Sequence, residues 1–336
     1  MSELPIFDRA APLADELAHW LDPAKHSDPR PLPMTADEMR ARGWDEVDVV
    51  LISGDAYVDH PSFAAAIIGR VLEAAGYRVG IVSQPDWHSC EPWKEFGRPR
   101  LFFGISAGNM DSMINHYTAN RKVRNDDAYS PGGEIGRRPD RATLAYCQRA
   151  REAYKGVPII AGGVEASLRR VAHYDYWSDK VKRSILLDAK ADMIVYGMGE
   201  QTIVEIANGL RDGKALAELR HLRGVAYALG AKESELLRDE SETRISKSET
   251  NQNTEIQNKP SQPSVSNIDD SDLEFVSSFG FRASDFITLP SYEQVRDDKP
   301  TFAEATRIIH NETNPYNAKR LVQFHDRQAV VVNPPA

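Results

Sequence analysis

Cysteine is scarce in this sequence: its 336 residues contain two, Cys90 and Cys147. Two thiols cannot supply the three or four thiolates of a standard cysteine-ligated metal cluster, so the chain alone cannot hold such a cluster. Free thiols fit a reducing compartment and argue against a disulfide between the two. Long apolar runs are missing as well, and none approaches the roughly 18 residues of a membrane span. The N-terminus, MSELPIFDRA, lacks the basic stretch and apolar core of a signal peptide. These absences point to the cytoplasm and away from the membrane. Positive charge is in deficit, with 41 Lys and Arg against 50 Asp and Glu and a net charge of -9. That balance argues against nucleic-acid binding over the whole surface and leaves only a local basic face open. Paired zinc ligands at CxxC-like spacing are absent, although His88 and Cys90 are close. There is no GxxxxGK[ST] phosphate loop and no GxGxxG after the first strand, and no GxSxG nucleophile elbow is expected.

What is present is an alternation of short apolar runs and amphipathic stretches. Residues 1–45 read as an irregular arm, with helical spacing at Ala14 to Leu21 and again between Pro31 and Trp44, where Thr35 is placed to cap Ala36, Asp37 and Glu38. From Glu46 the pattern becomes that of an α/β domain, which we place at residues 46–240. Val47 to Ile52, Val79 to Val82, Leu101 to Ile105, Val157 to Ala161 and Met193 to Tyr196 read as five strands buried on both faces. Helices are expected after Pro61, over Arg141 to Tyr154, around Ser178 to Leu187 and over Glu200 to Leu210. This order predicts a doubly wound, mainly parallel five-stranded sheet of flavodoxin-like or cobalamin-binding-domain-like type. Sixteen of the thirty residues 241–270 are Ser, Asn, Gln or Thr and none is aromatic, which reads as a disordered polar insertion. Residues 271–336 form a C-terminal extension with patchy helical spacing from Ser291 to Asn311, a strand at Ala329 to Val332 and then Pro334–Pro335.

In an open parallel sheet, ligands bind beyond the carboxyl ends of the strands. Here those ends are Gly54–Asp55, Ser106 to Asn109, Gly162 to Glu165 and Gly197 to Glu200, and their glycines permit tight turns as well as close approach to a ligand. The connection 106–141 is long and polar without being low in complexity, which favours an ordered functional loop over a solvated excursion. It carries Asn109, His116 and the basic cluster Arg121, Lys122 and Arg124. The stretch 162–184 is dense in chemistry, with Glu165, Arg169, Arg170, His173, Tyr174, Asp175, Tyr176 and Trp177. A Glu165–Arg169 pair on one helix face would need no function. The candidate crevice residues are Asp55, Asn109, His116, Glu165, His173, Tyr174 and Glu200. No residue is assigned a catalytic or metal-ligating role.

Four stretches carry a resemblance: SGDAYVDHPSFAAAIIGRVLEAAGYRVGI, PRLFFGISAGNMDSMINHYTANRKVRNDDAYSPGG, IIAGGVEASLRRVAHYDYWSDKVKRSILLDAKADMIVYGMGE and NPYNAKRLVQFHDRQAVVVNPP. In these the sequence resembles the N-terminal region of the YgiQ family of radical SAM proteins. The resemblance implies an accessory domain preceding a barrel whose CxxxCxxC thiolates bind a 4Fe–4S cluster that cleaves S-adenosylmethionine. The chain ends before the place of that motif. It is therefore expected to be truncated, to lack radical chemistry alone, and to have the barrel as its partner in cis in relatives or in trans here. A stand-alone module binding cobalamin or a nucleotide is the alternative. The glycines after the fourth and fifth strands are similar to those of cobalamin-binding domains, but Asp86-Trp87-His88 is followed by Ser89, Cys90 and Glu91 and does not complete DxHxxG. That argues against cobalamin ligated by His88 and leaves cobalamin without a histidine ligand open.

Overall fold

A computed structural model describes residues 30–238 and 286–336. The expected helix at Ala14 to Leu21 and the polar segment 241–270 lie outside the described residues. The chain divides into two compact units, Met1–Ile159 with Ile203–Asn208, and Ile160–Thr202 with Gly209–Ala336.

In the first unit, Thr35 caps helix α1 (Ala36–Ala41) by accepting the Glu38 N–H at 3.2 Å, as its spacing predicts. Strand β1 (Val49–Ser53) is buried at every residue. It pairs in parallel with β2 (Val79–Ser83) on one side and β3 (Phe102–Ser106) on the other, Val49 lying opposite both Val79 and Phe102. This explains its unbroken apolar run, since a strand with neighbours on both sides and cover on both faces has no solvent side. Helix α2 (Ala64–Ala74) makes the crossover and turns Ala66 and Leu72 inward. The short α3 (Ser112–His116) interrupts the long connection after β3, and α4 (Ala142–Ala153) follows it, burying Tyr146, Cys147 and Ala150.

The second unit holds most of β4 (Ile159–Gly162), then α5 (Gly163–Leu168), β5 (His173–Asp175), β6 (Lys180–Lys182), α6 (Ile185–Ala189), β7 (Met193–Val195), the first and last residues of α7 (Glu200–Arg211) and β8 (Val225–Leu229). It ends with β9 (Phe286–Thr288), α8 (Tyr292–Asp297), α9 (Lys299–Asn311), β10 (Arg320–His325) and β11 (Gln328–Val332). β4 and β7 run parallel, as do β9 and β10, whereas β7–β8, β8–β11 and β10–β11 are antiparallel.

The α/β class and the largely parallel character agree with the sequence reading, but the strand count does not. Where five strands were expected, the described residues form nine, the run β2-β1-β3 in the first unit and the run β4-β7-β8-β11-β10-β9 in the second. One cause lies in β10, and a strand pair outside these runs was also unexpected. Gln323 and His325 are buried polar residues within β10, so its apolar pattern is broken. The residues expected to form a helix around Ser178 instead form the β5–β6 hairpin, because Asp175 accepts from the Trp177 N–H at 3.1 Å and from the Ser178 hydroxyl at 3.0 Å and turns the chain back. Only Ile185–Ala189 becomes helical, capped by Ser184. The C-terminal residues, read from sequence as an extension, supply β9, β10 and β11 to the sheet.

Candidate functional site

The carboxyl ends of β1 and β3 meet in the first unit, and a charged cluster fills the space beyond them. Gly54 follows β1 so closely that a Cβ there would stand 2.1 Å from the Ala107 carbonyl oxygen. Gly108, at φ +110°, would place a Cβ 2.1 Å from Asp55 Oδ1, so both the backbone angle and the space demand glycine. Asp55 Oδ2 accepts the Asn109 N–H at 2.6 Å, and Oδ1 lies 2.8 Å from Arg138 Nη1. The Arg138 side chain is fully buried; Nη1 also donates to the Ala107 carbonyl at 3.0 Å, and Nη2 pairs with Asp127 at 3.1 Å. Asp127 in turn accepts the Tyr129 N–H at 2.9 Å and the Ser130 hydroxyl at 2.8 Å. Gln84, after β2, donates to Ser130 Oγ at 2.6 Å and to the Gly54 carbonyl at 3.1 Å.

The two carboxylates differ in their electrostatics. Burial raises the Asp55 pKa, against the opposing pull of the Asn109 N–H and Arg138. Burial also pushes Asp127 upward, but the Tyr129 N–H, the Asn115 and Ser130 side chains and Arg138 outweigh it and hold the carboxyl below its ordinary value. One guanidinium between two buried carboxylates thus ties the 106–141 connection to the strand ends. A hollow of about 200 Å³, open solvent included, remains beside Asp55, Tyr57, Phe63 and Asn109. That is below the ~300–1,000 Å³ of ordinary small-molecule pockets.

A second arrangement lies farther along the same connection. Asp140 accepts from the Tyr117 hydroxyl at 3.0 and 3.1 Å, and its Oδ1 is 2.9 Å from His116 Nδ1. Burial and the carboxylate raise the Tyr117 pKa. His116 Nε2 is buried without a hydrogen-bond partner. A carboxylate on Nδ1 selects the tautomer whose Nε2 lone pair accepts a proton or a ligand hydrogen bond.

Of the seven residues singled out from sequence, the first unit brings Asp55 and Asn109 into direct contact. The Asn109 side chain also accepts from the Ala64 N–H at 3.4 Å and donates to the Ser62 carbonyl at 2.9 Å, so it serves the start of α2. His116 ends α3 and is held by Asp140. The other four belong to the second unit. Glu165 is buried within α5 and Glu200 opens α7. His173 sits in β5, where burial and then Arg169 lower its pKa to about 4. Tyr174 is half-exposed and its hydroxyl bonds Asp179. The cluster Arg121, Lys122 and Arg124 is exposed.

Arg138, Asp127, Ser130, Gln84 and Asp140 escaped the sequence reading. No motif marks them: Arg138, Asp127, Ser130 and Asp140 are placed by the fold of a long loop, and Gln84 directly follows β2. Residues Gly104 to Gly108 also spell G-x-S-x-G, a spacing the motif reading missed. The context is not that of a nucleophile elbow: Ser106 closes β3 without a positive φ, its hydroxyl accepts the Gly108 N–H at 3.1 Å, and no histidine bonds it among the described residues.

Metal-site chemistry is not supported by these side chains. No group of three or more His, Cys, Asp or Glu able to hold a metal occurs among the described residues. Cys147 is buried, Cys90 is partly exposed, and neither is in a disulfide. A 4Fe–4S cluster does not fit this donor set. His88 stacks on Trp87 on an exposed turn after β2, with Nδ1 held 2.7 Å from Asp86. Among the described residues no helix is long and apolar enough to cross a membrane.

The Radical SAM N-terminal family profile matches residues 31–336, and the chain belongs to that family. Within it the chain is similar to UPF0313 proteins. It is 50% identical over 304 residues to one from Bradyrhizobium diazoefficiens, covering 90% of this chain and 41% of the relative. It is 52% identical to one from Rhodopseudomonas palustris, with coverage of 90% and 41%, and 48% identical to YgiQ of Salmonella typhimurium, with coverage of 91% and 43%. The chain thus spans about two fifths of the length of the curated relatives it matches. A slighter likeness, at 16% identity and a TM-score of 0.36, links 53% of this chain to 26% of the radical S-adenosylmethionine methyltransferase TsrM of Kitasatospora setae, solved with cobalamin and a 4Fe–4S cluster bound. That likeness carries no inference about function.

Proposed function

We propose that these 336 residues serve a radical SAM protein as its accessory N-terminal region, with the cluster and S-adenosylmethionine held by residues outside them. The observation that carries this reading is membership of the Radical SAM N-terminal family over residues 31–336 in a sequence with only two cysteines, where a radical SAM cluster takes three thiolates. The barrel that bears the cluster is the partner, and this region contributes no radical chemistry alone. Within the region, Asp55 and Asn109 act as scaffold. The Asp140-oriented His116 is the group offered to a ligand, and cobalamin ligated by His88 forms no part of the reading. Anaerobic reconstitution of this chain with iron and sulfide tests the proposal. The expected result is iron far below one cluster per chain and no charge-transfer absorbance, with a full-length relative as positive control. A stoichiometric cluster on this chain would overturn it.

A further inference from the structure

We propose that Arg170 anchors a binding site for an oxyanion, the phosphate or carboxylate of a small ligand, at the carboxyl ends of β4 and β7 in the second unit. The argument starts from position. Parallel pairing sets Ile160 beside Met193 and Ala161 beside Ile194, so α5 and the residues after it leave the sheet next to Tyr196, which directly follows β7. Carboxyl ends of neighbouring parallel strands are where α/β sheets bind ligands.

Arg170 is largely withdrawn from solvent there, and no carboxylate of the described residues pairs with it. Burial works against its charge, and the Tyr196 phenol is the one ionisable group that offsets this. Nη1 donates to the Ser167 carbonyl at 2.5 Å. The guanidinium carbon lies 4.5 Å from the centre of the Tyr196 ring, a cation–π stack that fixes its plane. The Tyr196 hydroxyl is itself tied to the Asn333 carbonyl, so the ring is anchored. What remains of the guanidinium is the Nε–Nη2 edge. Nε is buried without an acceptor, and among the described residues the guanidinium makes no hydrogen bond besides that of Nη1. This is the side-on fork that matches two oxygens of a carboxylate or phosphate.

The surroundings favour the same sign of ligand. Arg223 also acts on the Tyr196 phenol, and its Nε donates to the Pro335 carbonyl at 3.0 Å; its second bond goes to the Pro315 carbonyl. Two guanidinium groups therefore bear on one phenol, both bonded to carbonyls, in a chain whose net charge is -9. If Arg170 were only packing, an apolar side chain of similar length would fill the place without desolvating a charge. A ligand that completes the unused fork accounts for an arginine at this place.

The site is independent of where the iron–sulfur cluster is held, so its test stands apart from the reconstitution. Inorganic phosphate, pyrophosphate and citrate are titrated at constant ionic strength into the 336-residue chain, with heat of binding and thermal unfolding as readouts. At least one probe is expected to bind saturably and raise Tm with concentration. Arg170→Met should weaken that probe tenfold or more while leaving the probe-free Tm equal or higher. Arg170→Lys, which keeps the charge but not the fork, should fall between. Arg307→Gln, an exposed charge on α9, should bind as the parent does. Absence of saturable binding by the parent overturns the proposal. So does unchanged binding in Arg170→Met or, if that variant fails to fold, parent-like binding in Arg170→Lys.

Discussion

Arg138 and Arg170 are both arginines withdrawn into an α/β unit beyond the carboxyl ends of parallel strands, yet they are treated oppositely. Arg138 lies between Asp55 and Asp127 and also donates to a backbone carbonyl, with only its buried Nε left without an acceptor. Arg170 has an aromatic face and one carbonyl, but no carboxylate among the described residues. A buried charge is costly unless it is paired and hydrogen-bonded. The first unit meets that condition internally, and in doing so fills the place where a ligand would otherwise sit. The second leaves it unmet. The same residue type at an equivalent strand-end position thus closes one crevice and keeps the other receptive.

The largest expected effect breaks the closed side. Arg138→Met strands two buried carboxylates, and breaking a buried pair by removing one partner costs about 3–5 kcal/mol. Urea unfolding of the whole chain should show the loss, and a change below about 1 kcal/mol would mean that Asp55 and Asp127 are solvated or protonated. Gly108→Ala attacks the same cluster from the backbone. Its Cβ would meet Asp55 Oδ1 at 2.1 Å and sit at φ +110°. Overpacking and backbone strain together should cost roughly 2–4 kcal/mol, measured in the same titration.

The next effect sharpens the character of the second unit. His325 is buried in β10, stacked on Tyr292 at 5.6 Å, and neither ring nitrogen has a hydrogen-bond partner. Burial, then the nearby Arg183, lowers its pKa to about 4, and His173 stands at about 4 as well. Both native pKa values lie below the unfolded value, so the unfolded chain binds more protons as pH falls. Stability is full above about pH 6.5 and is lost progressively down to about pH 4. The loss should be on the order of 2–3 kcal/mol per histidine at the acid end. His325→Phe should flatten that dependence in urea unfolding between pH 7 and 4. An equally steep profile in the variant would remove His325 from the account.

The smallest effects separate stability from function. Arg170→Met should leave stability equal or slightly improved, the reverse in sign of Arg138→Met. Matching losses at both positions would end the comparison, because Arg170 would then be as well paired as Arg138. Arg307→Gln removes an exposed partner of Glu304 and should not change unfolding measurably.

Much of the parallel framework was legible in the sequence for a local reason. β1, β2, β3, β4 and β7 are short apolar runs closed by Gly or Ser, and burial on both faces leaves that mark on the residues themselves. Most strands that went unread lack it: β5, β6 and β9 are three residues each, and β10 carries Gln323 and His325 inside the core, where Gln323 accepts the Ala172 N–H at 2.7 Å and donates to the Pro290 carbonyl at 3.0 Å; β8, the buried run Val225–Leu229 before Gly230, carries the mark and was missed all the same. The candidate site was legible only at its strand-end half. Asp55 and Asn109 were found because they follow strands at glycine turns. Arg138, Asp127 and Asp140 lie 18 to 85 residues from those positions (127 − 109 and 140 − 55) with no motif to announce them.

By itself, then, the sequence determined the α/β class, the capped helices such as Ala36–Ala41, the family, and the inability of two thiols to ligate a three-thiolate cluster. These follow from composition, short-range periodicity and the identity of residues, which need no partner in space. Only the tertiary structure decided that β8, β9 and β10 join the sheet of the second unit, that Arg138 meets two carboxylates, and that Arg170 meets none among the described residues. The reason is that charge pairing inside a protein is a property of distance and burial. Two residues such as Arg138 and Arg170, identical in type, acquire different surroundings only when the chain closes around them.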